Sequence, residues 1–132
     1  MRYDGYLNDF SAKHPDLAFW GIASRHGENV DTVLKAVAER GLSFPILLDP
    51  GGKVAAEYMT QQTPRAFLFD AQRGLVYRGA IDNYRYPDDP ERLDYLEPAI
   101  NQFLSGQPVT RPETASFGCA IQSVYYNLPT AL

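Results

Sequence analysis

Three short apolar runs constrain the fold more than any other feature of this sequence. They are LAFWGIA at 17–23, FPILLD at 44–49 and AFLF at 66–69. Each has the length of a strand, and continuous apolar runs are typical of strands in a sheet covered on both faces. Helical patterns at 32–40 and 54–59 separate the three runs. Strands separated by helices imply right-handed parallel crossovers, so the sequence predicts an α/β fold.

The third run also begins a predicted hairpin. A turn at Asp70–Gly74 follows it, and period-two alternation continues from Leu75 to Ile81. Two such strands joined by a short glycine-containing turn predict an antiparallel pair.

Helix signals flank these strands. Tyr6, Leu7 and Phe10 have helical spacing within a predicted helix at 3–13. Asn29 or Asp31 is a candidate cap for the helix at 32–40, which Gly41 ends. Asp94 and Glu97 fit a capping box for a last helix at 95–105, and Gly106 follows it.

Composition limits the function classes. The 132 residues suit one domain, and 45% hydrophobic residues suffice for a core. A net charge of −4, with scattered arginines, argues against a nucleic-acid surface. No apolar run reaches the roughly 20 residues of a membrane span. Nor does the N-terminus have the apolar h-region of a signal peptide, and the compartment stays open.

Cysteine and histidine usage narrows the chemistry further. Cys119 is the only cysteine, and His14 and His26 are the only histidines. An internal disulfide is therefore impossible in this chain, and no spacing suggests a metal site. No cofactor is predicted.

Four stretches together resemble the thioredoxin-like superfamily, and within it the redoxin group of alkyl hydroperoxide reductase/thiol-specific antioxidant and related thiol–disulfide proteins. They are FPILLDPGGKVAAEYM, TPRAFLFDAQRGLVYRGAID, LEPAINQFLSGQPV and PETASFGCAI. The last is similar to a tail seen in one bacterial subgroup. The resemblance implies a three-layer fold, in which a mixed sheet combines parallel strands with a C-terminal antiparallel hairpin.

The resemblance also implies a cis peptide bond between Thr63 and Pro64. In the family this loop lies against the redox cysteines and presents backbone to a bound peptide. The chain departs from the family here, because its sequence begins within the helix that the C-x-x-C normally precedes. A position that carries an auxiliary thiol in some relatives is Gln62. Cys119 is a candidate resolving or peroxidatic thiol, or a structural cysteine.

The family's first, central strand is also missing from this chain. We therefore expect a thioredoxin-like domain at 1–106 that is incomplete at its N-terminus, and an extended tail at 107–132. The open position in the sheet predicts a protein partner or a second copy, although an upstream segment or the β-prone tail are alternative occupants.

Other residues are candidates for contacts. Arg25 and His26 follow the first apolar run and either line the cleft or form a solvated loop. Tyr84, Arg85 and Tyr86 form either a partner contact or a surface loop, whereas Trp20 is predicted to be core. A further partner-contact candidate is the pair Tyr125 and Tyr126.

Two functions follow from these predictions. The first is a non-catalytic accessory or interaction subunit that keeps the scaffold without the dithiol. The second is a thiol–disulfide oxidoreductase or peroxiredoxin-like antioxidant whose active cysteines lie upstream of Met1.

Overall fold

The computed structural model describes residues 4–24, 27–83, 88–115 and 119–120. The helices are α1 (Asp4–Lys13), α2 (Val30–Arg40), α3 (Lys53–Glu57) and α4 (Leu96–Leu104). The strands are β1 (Gly21–Ala23), β2 (Ile46–Leu48), β3 (Gln62–Thr63), β4 (Ala66–Phe69), β5 (Leu75–Gly79) and β6 (Cys119–Ala120). Helices and strands alternate up to α3, and three strands then follow in succession before α4.

The chain forms two compact units. The first unit contains residues 1–61 and 121–132, and the second contains residues 62–120. The division falls after Gln61, and residues 107–115 and 119–120 group with the second unit.

In the first unit, β1 and β2 form the parallel pair that the sequence predicted. Their register places Gly21 beside Ile46 and Ala23 beside Leu48. The helix between them, α2, begins at Val30, two residues before the predicted start. Asn29 is its cap, since the Asn29 side chain accepts a hydrogen bond from the Thr32 nitrogen at 3.0 Å.

Helix α1 contributes a buried aromatic side chain and a polar contact to the first unit. Phe10 is buried and stacks on Tyr6 with ring centroids 5.6 Å apart. Asn8 joins α1 to the loop after α2, because its Nδ2 donates to the Gly41 carbonyl and its Oδ1 accepts from the Ser43 nitrogen. Gly41 has a φ of 61°, the left-handed conformation that ends a helix.

In the second unit, β4 and β5 form the predicted antiparallel hairpin. Leu68 lies opposite Tyr77 and Ala66 lies opposite Gly79. The turn is stabilised by Asp70, whose Oδ1 accepts from the Gly74 and Gln72 nitrogens at 2.7 and 2.9 Å. The described residues thus form a mixed α/β structure with one parallel pair, β1–β2, and two antiparallel pairs, β4–β5 and β3–β6.

The predicted capping box of the last helix is wrong. Tyr95 is the cap residue of α4, and no side chain caps the helix. Asp94 instead forms an ion pair with Arg92 at 3.0 Å, and Arg92 also reaches the buried Asp82 at 3.1 Å. Arg92, in the loop before α4, therefore binds the Asp94 carboxylate that the local pattern predicted to cap the helix.

Candidate functional site

The β1–β2 pair has one covered and one exposed face. On the covered face, a Cβ at Gly21 would lie 3.2 Å from the buried Phe44 ring, which also meets Phe19 edge to face. On the other face, Ile22 and Leu47 are register partners, and they are 44% and 46% exposed. Half of each of these apolar side chains therefore faces solvent.

Trp20 extends this exposed face and contradicts its predicted place in the core. It is 56% exposed and precedes Ile22 by two residues, the spacing that places side chains on one side of a strand. The sequence indicated a sheet covered on both faces, but the observed pair covers only one. Single exposed apolar residues are ordinary, whereas adjacent ones mark an interaction surface. We call Trp20, Ile22 and Leu47 the β1 apolar face.

The backbone of β1 is open on the side away from β2. The Gly21 nitrogen donates to the Pro45 carbonyl at 2.8 Å, and the Ala23 carbonyl accepts from the Asp49 nitrogen at 2.9 Å. Because backbone groups alternate in direction along a strand, the N–H and C=O of Ile22 point the opposite way. Within the described ranges, Ile22 has no hydrogen-bond partner on that side.

Asp49 holds the end of this strand pair in place. Its carboxylate accepts from Ser24 Oγ at 2.8 Å, from the Val54 nitrogen at 2.9 Å and from the Ala55 nitrogen at 3.0 Å. The residue is buried, at 4% exposure. Three donors satisfy this buried carboxylate and join the end of β1 to α3, which gives Asp49 a structural role.

The Thr63–Pro64 loop has the features that the resemblance implied. The peptide bond between the two residues is cis. Gln62, the exposed residue before Thr63, pairs with Ala120.

Backbone pairing brings Cys119 to this loop. β6 runs antiparallel to β3, with Cys119 opposite Thr63. The sequence analysis assigned Cys119 to an extended tail and did not predict this pairing.

Arg65 adds an unsatisfied donor directly after Pro64. Its guanidinium carbon lies 5.7 Å from the centre of the Phe67 ring. Its Nε is buried and has no hydrogen-bond partner among the described residues. Buried donors are usually paired, so this nitrogen is available to an acceptor from outside the described residues.

The other predicted contact residues lie outside the described part of the chain. They are Arg25, His26, Tyr84, Arg85, Tyr86, Tyr125 and Tyr126. Their predicted roles in cleft lining and partner contact therefore stay predictions.

Sequence reasoning missed a closed hydrogen-bond ring on β5. The Ala80 nitrogen donates to Thr114 Oγ1 at 2.9 Å, that hydroxyl bonds the Tyr77 hydroxyl at 2.7 Å, and Tyr77 in turn donates to the Ala80 carbonyl. Burial of Tyr77 raises its pKa above the ordinary value of 10.0, and the hydrogen bond from Thr114 opposes this effect.

The segment that carries Thr114 also pairs with β5 through its backbone. The Arg78 nitrogen donates to the Pro112 carbonyl, and the Thr114 nitrogen donates to the Arg78 carbonyl. Arg78 and Glu113 add an ion pair of 3.0 Å. The available sequence signal was Gly79, since a glycine inside a strand pattern indicates close approach of another backbone.

The described residues contain neither a metal-ligand cluster nor a membrane-spanning helix. No cluster of histidine, cysteine, aspartate or glutamate that could hold a metal ion occurs among them. Likewise, no helix in those ranges has the length and apolar character needed to cross a bilayer.

Comparison with known proteins gives structural neighbours but no family. No family model matches the chain, and no curated protein matches it. An uncharacterized conserved protein from Geobacillus kaustophilus shares 26% identity at a TM-score of 0.80, over 91% of this chain and 68% of that one. A hypothetical protein from Sinorhizobium meliloti shares 29% identity at a TM-score of 0.81, over 92% and 71%. The chain is therefore similar in fold to two solved bacterial proteins, and about 30% of each lies outside the match.

Proposed function

We propose that this chain is a thioredoxin-like module that acts as a non-catalytic accessory or interaction subunit by binding an extended polypeptide strand along β1. The resemblance of its four sequence stretches to the redoxin group supports the family. The open backbone edge at Ile22, beside the β1 apolar face, supports the mode of binding.

An added strand pairs with this edge and extends the apolar face beside it. Its backbone accepts and donates the hydrogen bonds that Ile22 directs away from β2, and its side chains on that face lie next to Ile22. A helix or a small ligand covers apolar surface but does not pair with a strand edge. The geometry therefore favours strand addition over other kinds of contact.

The number of cysteines in this chain also favours a non-catalytic role. Thiol–disulfide exchange through a C-x-x-C pair requires two cysteines, and this chain has one. Binding without dithiol chemistry requires only the scaffold.

Self-association tests the proposal. When no other strand is present, a second copy is the available source, so we expect the purified chain to associate as its concentration rises through the micromolar range. Hydrogen exchange at the Ile22 amide should slow in the associated form, because that N–H becomes hydrogen-bonded. Sedimentation velocity and amide exchange by NMR measure the two effects.

A charge on the edge should prevent association. Ile22→Lys should shift the chain to monomer, because a charged side chain on an edge strand opposes pairing. Leu104→Lys is the matched control, since Leu104 is 46% exposed on α4 in the second unit, and it should associate like the parent. A stable monomer with fast exchange at Ile22 would contradict the proposal.

The pairing of β6 with β3 favours a second candidate function. Cys119 stands opposite Thr63 in that register, beside the loop that serves thiol chemistry in the family. This candidate is a thiol–disulfide oxidoreductase or peroxidase whose remaining cysteines lie upstream of Met1. Insulin reduction or peroxide turnover by the 132-residue chain, lost in Cys119→Ser, would contradict the non-catalytic role, because it would show a working thiol in the chain itself.

A further inference from the structure

A cleft of about 350 Å³ lies within the second unit, away from the residues used above. The first turns of α4 form one wall, and residues 109–111 form the other. Its apolar lining comes from Leu93, Ala99, Val109 and the ring of Tyr95. The volume falls in the range of small-ligand sites, which are typically apolar with a few placed polar groups.

Arg111 supplies the cleft with a positive charge. Its guanidinium carbon lies 5.7 Å from the centre of the Tyr95 ring, so the ring covers one side of the cation. Arg111 is exposed and forms no ion pair with any described residue. The acid of the cleft, Asp94, already pairs with Arg92 and does not neutralise it.

The backbone next to Arg111 is fixed in place by Gln102. The Gln102 side chain donates to Thr110 Oγ1 at 2.7 Å and accepts from the Thr110 nitrogen at 2.9 Å. Two bonds from one amide hold the residue before Arg111 against α4. The cation is therefore attached to a positioned segment, which lowers the ordering cost of binding.

We propose that this cleft binds a small apolar monocarboxylate. The carboxylate pairs with Arg111, whose planar guanidinium suits bidentate recognition of that group. The apolar body lies against Leu93, Ala99 and Val109. A second negative charge on the ligand is disfavoured, because Asp94 lies at the same cleft. This site is independent of strand binding along β1.

Titration with phenylacetate tests the proposal on the whole chain by ¹H–¹⁵N NMR. We expect saturable shifts of the amides at 93–95 and 109–111, within about 10 mM ligand. The neutral analogue phenylacetamide should bind roughly tenfold more weakly, because it lacks the charged partner of Arg111.

Arg111→Gln should weaken phenylacetate binding by roughly tenfold or more and leave phenylacetamide binding unchanged. Arg73→Gln, which removes an exposed arginine from the hairpin turn of the same unit, is the matched control and should bind like the parent. A dispersed spectrum of each variant verifies folding. Absence of saturable shifts, equal binding of acid and amide, or full binding by Arg111→Gln would each overturn the proposal.

Discussion

The two strands β1 and β5 differ in how their edges are used. β5 pairs with β4 on one side and with residues 112–114 on the other, and its central Tyr77 is fully buried. Among the described residues, β1 pairs with β2 on one side only, and Ile22 at its centre is half exposed. β1 comes from the continuous apolar run at 17–23, whereas β5 comes from the alternating stretch at 75–81 and carries Arg78.

The contrast shows where this chain satisfies its own backbone and where it does not. Along β5, a segment more than thirty residues downstream supplies hydrogen bonds, a hydroxyl and an ion-pairing carboxylate. Along the outer side of β1, the described residues supply none of these. Because unpaired strand edges promote association, we expect a partner to bind along β1. The edges of β5 are paired within the chain, so β5 contributes to the stability of the fold.

Among substitutions on β1 and β5, the largest effect should come from forcing apart the contact between β5 and Thr114. Gly79→Ala places a Cβ 2.8 Å from the Thr114 nitrogen, and closer still to that residue's carbonyl oxygen and hydroxyl. Gly79 also has a φ of 145°, which side chains rarely adopt. We expect a loss of about 3 kcal/mol in the free energy of unfolding, measured by urea titration.

Gly106→Ala separates the cost of the steric clash from the cost of the positive φ. Gly106 also has a positive φ, 71°, but its Cβ would meet nothing within 4 Å. The loss should be about 1 kcal/mol, the cost of the backbone conformation alone. Equal losses at positions 79 and 106 would show that the contact with Thr114 contributes little.

Alkaline pH should lower the free energy of unfolding, because the buried Tyr77 on β5 loses its proton. Its raised pKa means that the fold favours the neutral phenol, so this contribution is complete below the ordinary pKa of 10.0 and is lost as pH rises through the folded value. Tyr77→Phe should cost roughly 2 kcal/mol near neutral pH, because Thr114 loses its partner.

The gap between parent and Tyr77→Phe should then narrow above pH 10.0, since phenylalanine has no proton to lose. Urea titrations at a series of alkaline pH values measure this gap. A constant gap across the series would contradict the assigned role of burial in raising the Tyr77 pKa.

The smallest effect should come from the β1 apolar face. Trp20→Ser should change the free energy of unfolding by less than about 1 kcal/mol, because the side chain is mostly exposed in the isolated chain. Phe10→Ala, in the same unit but buried, should cost about 3–4 kcal/mol. A loss at Trp20 as large as that at Phe10 would mean that the face is covered within a single chain.

Features set by neighbouring residues were predictable from sequence. Asn29 and Gly41 delimit α2, and Asp70 with Gly74 forms the hairpin turn, because side-chain caps and turn conformations depend on a few adjacent residues. The parallel pairing of β1 with β2 and the antiparallel pairing of β4 with β5 followed from strand order and loop length. The cis bond between Thr63 and Pro64, which the resemblance implied, is present in the structure.

Features set by distant residues were not predictable. The local pattern predicted that Asp94 caps a helix, but Asp94 pairs with Arg92. Trp20 lies within an apolar run and was predicted to be core, but its side chain is exposed. The pairing of Cys119 with Thr63 joins residues more than fifty positions apart, in a segment without periodicity.

The amino-acid sequence by itself determined the helices, the turns and the parallel and antiparallel pairs, because backbone preferences and hydrophobic period act over a few residues. Tertiary structure alone decided that residues 112–114 close β5 while the outer edge of β1 stays open among the described residues. The physical reason is that a strand edge is satisfied only by another backbone at hydrogen-bonding distance. Which segment reaches that distance depends on the packing of the chain around it.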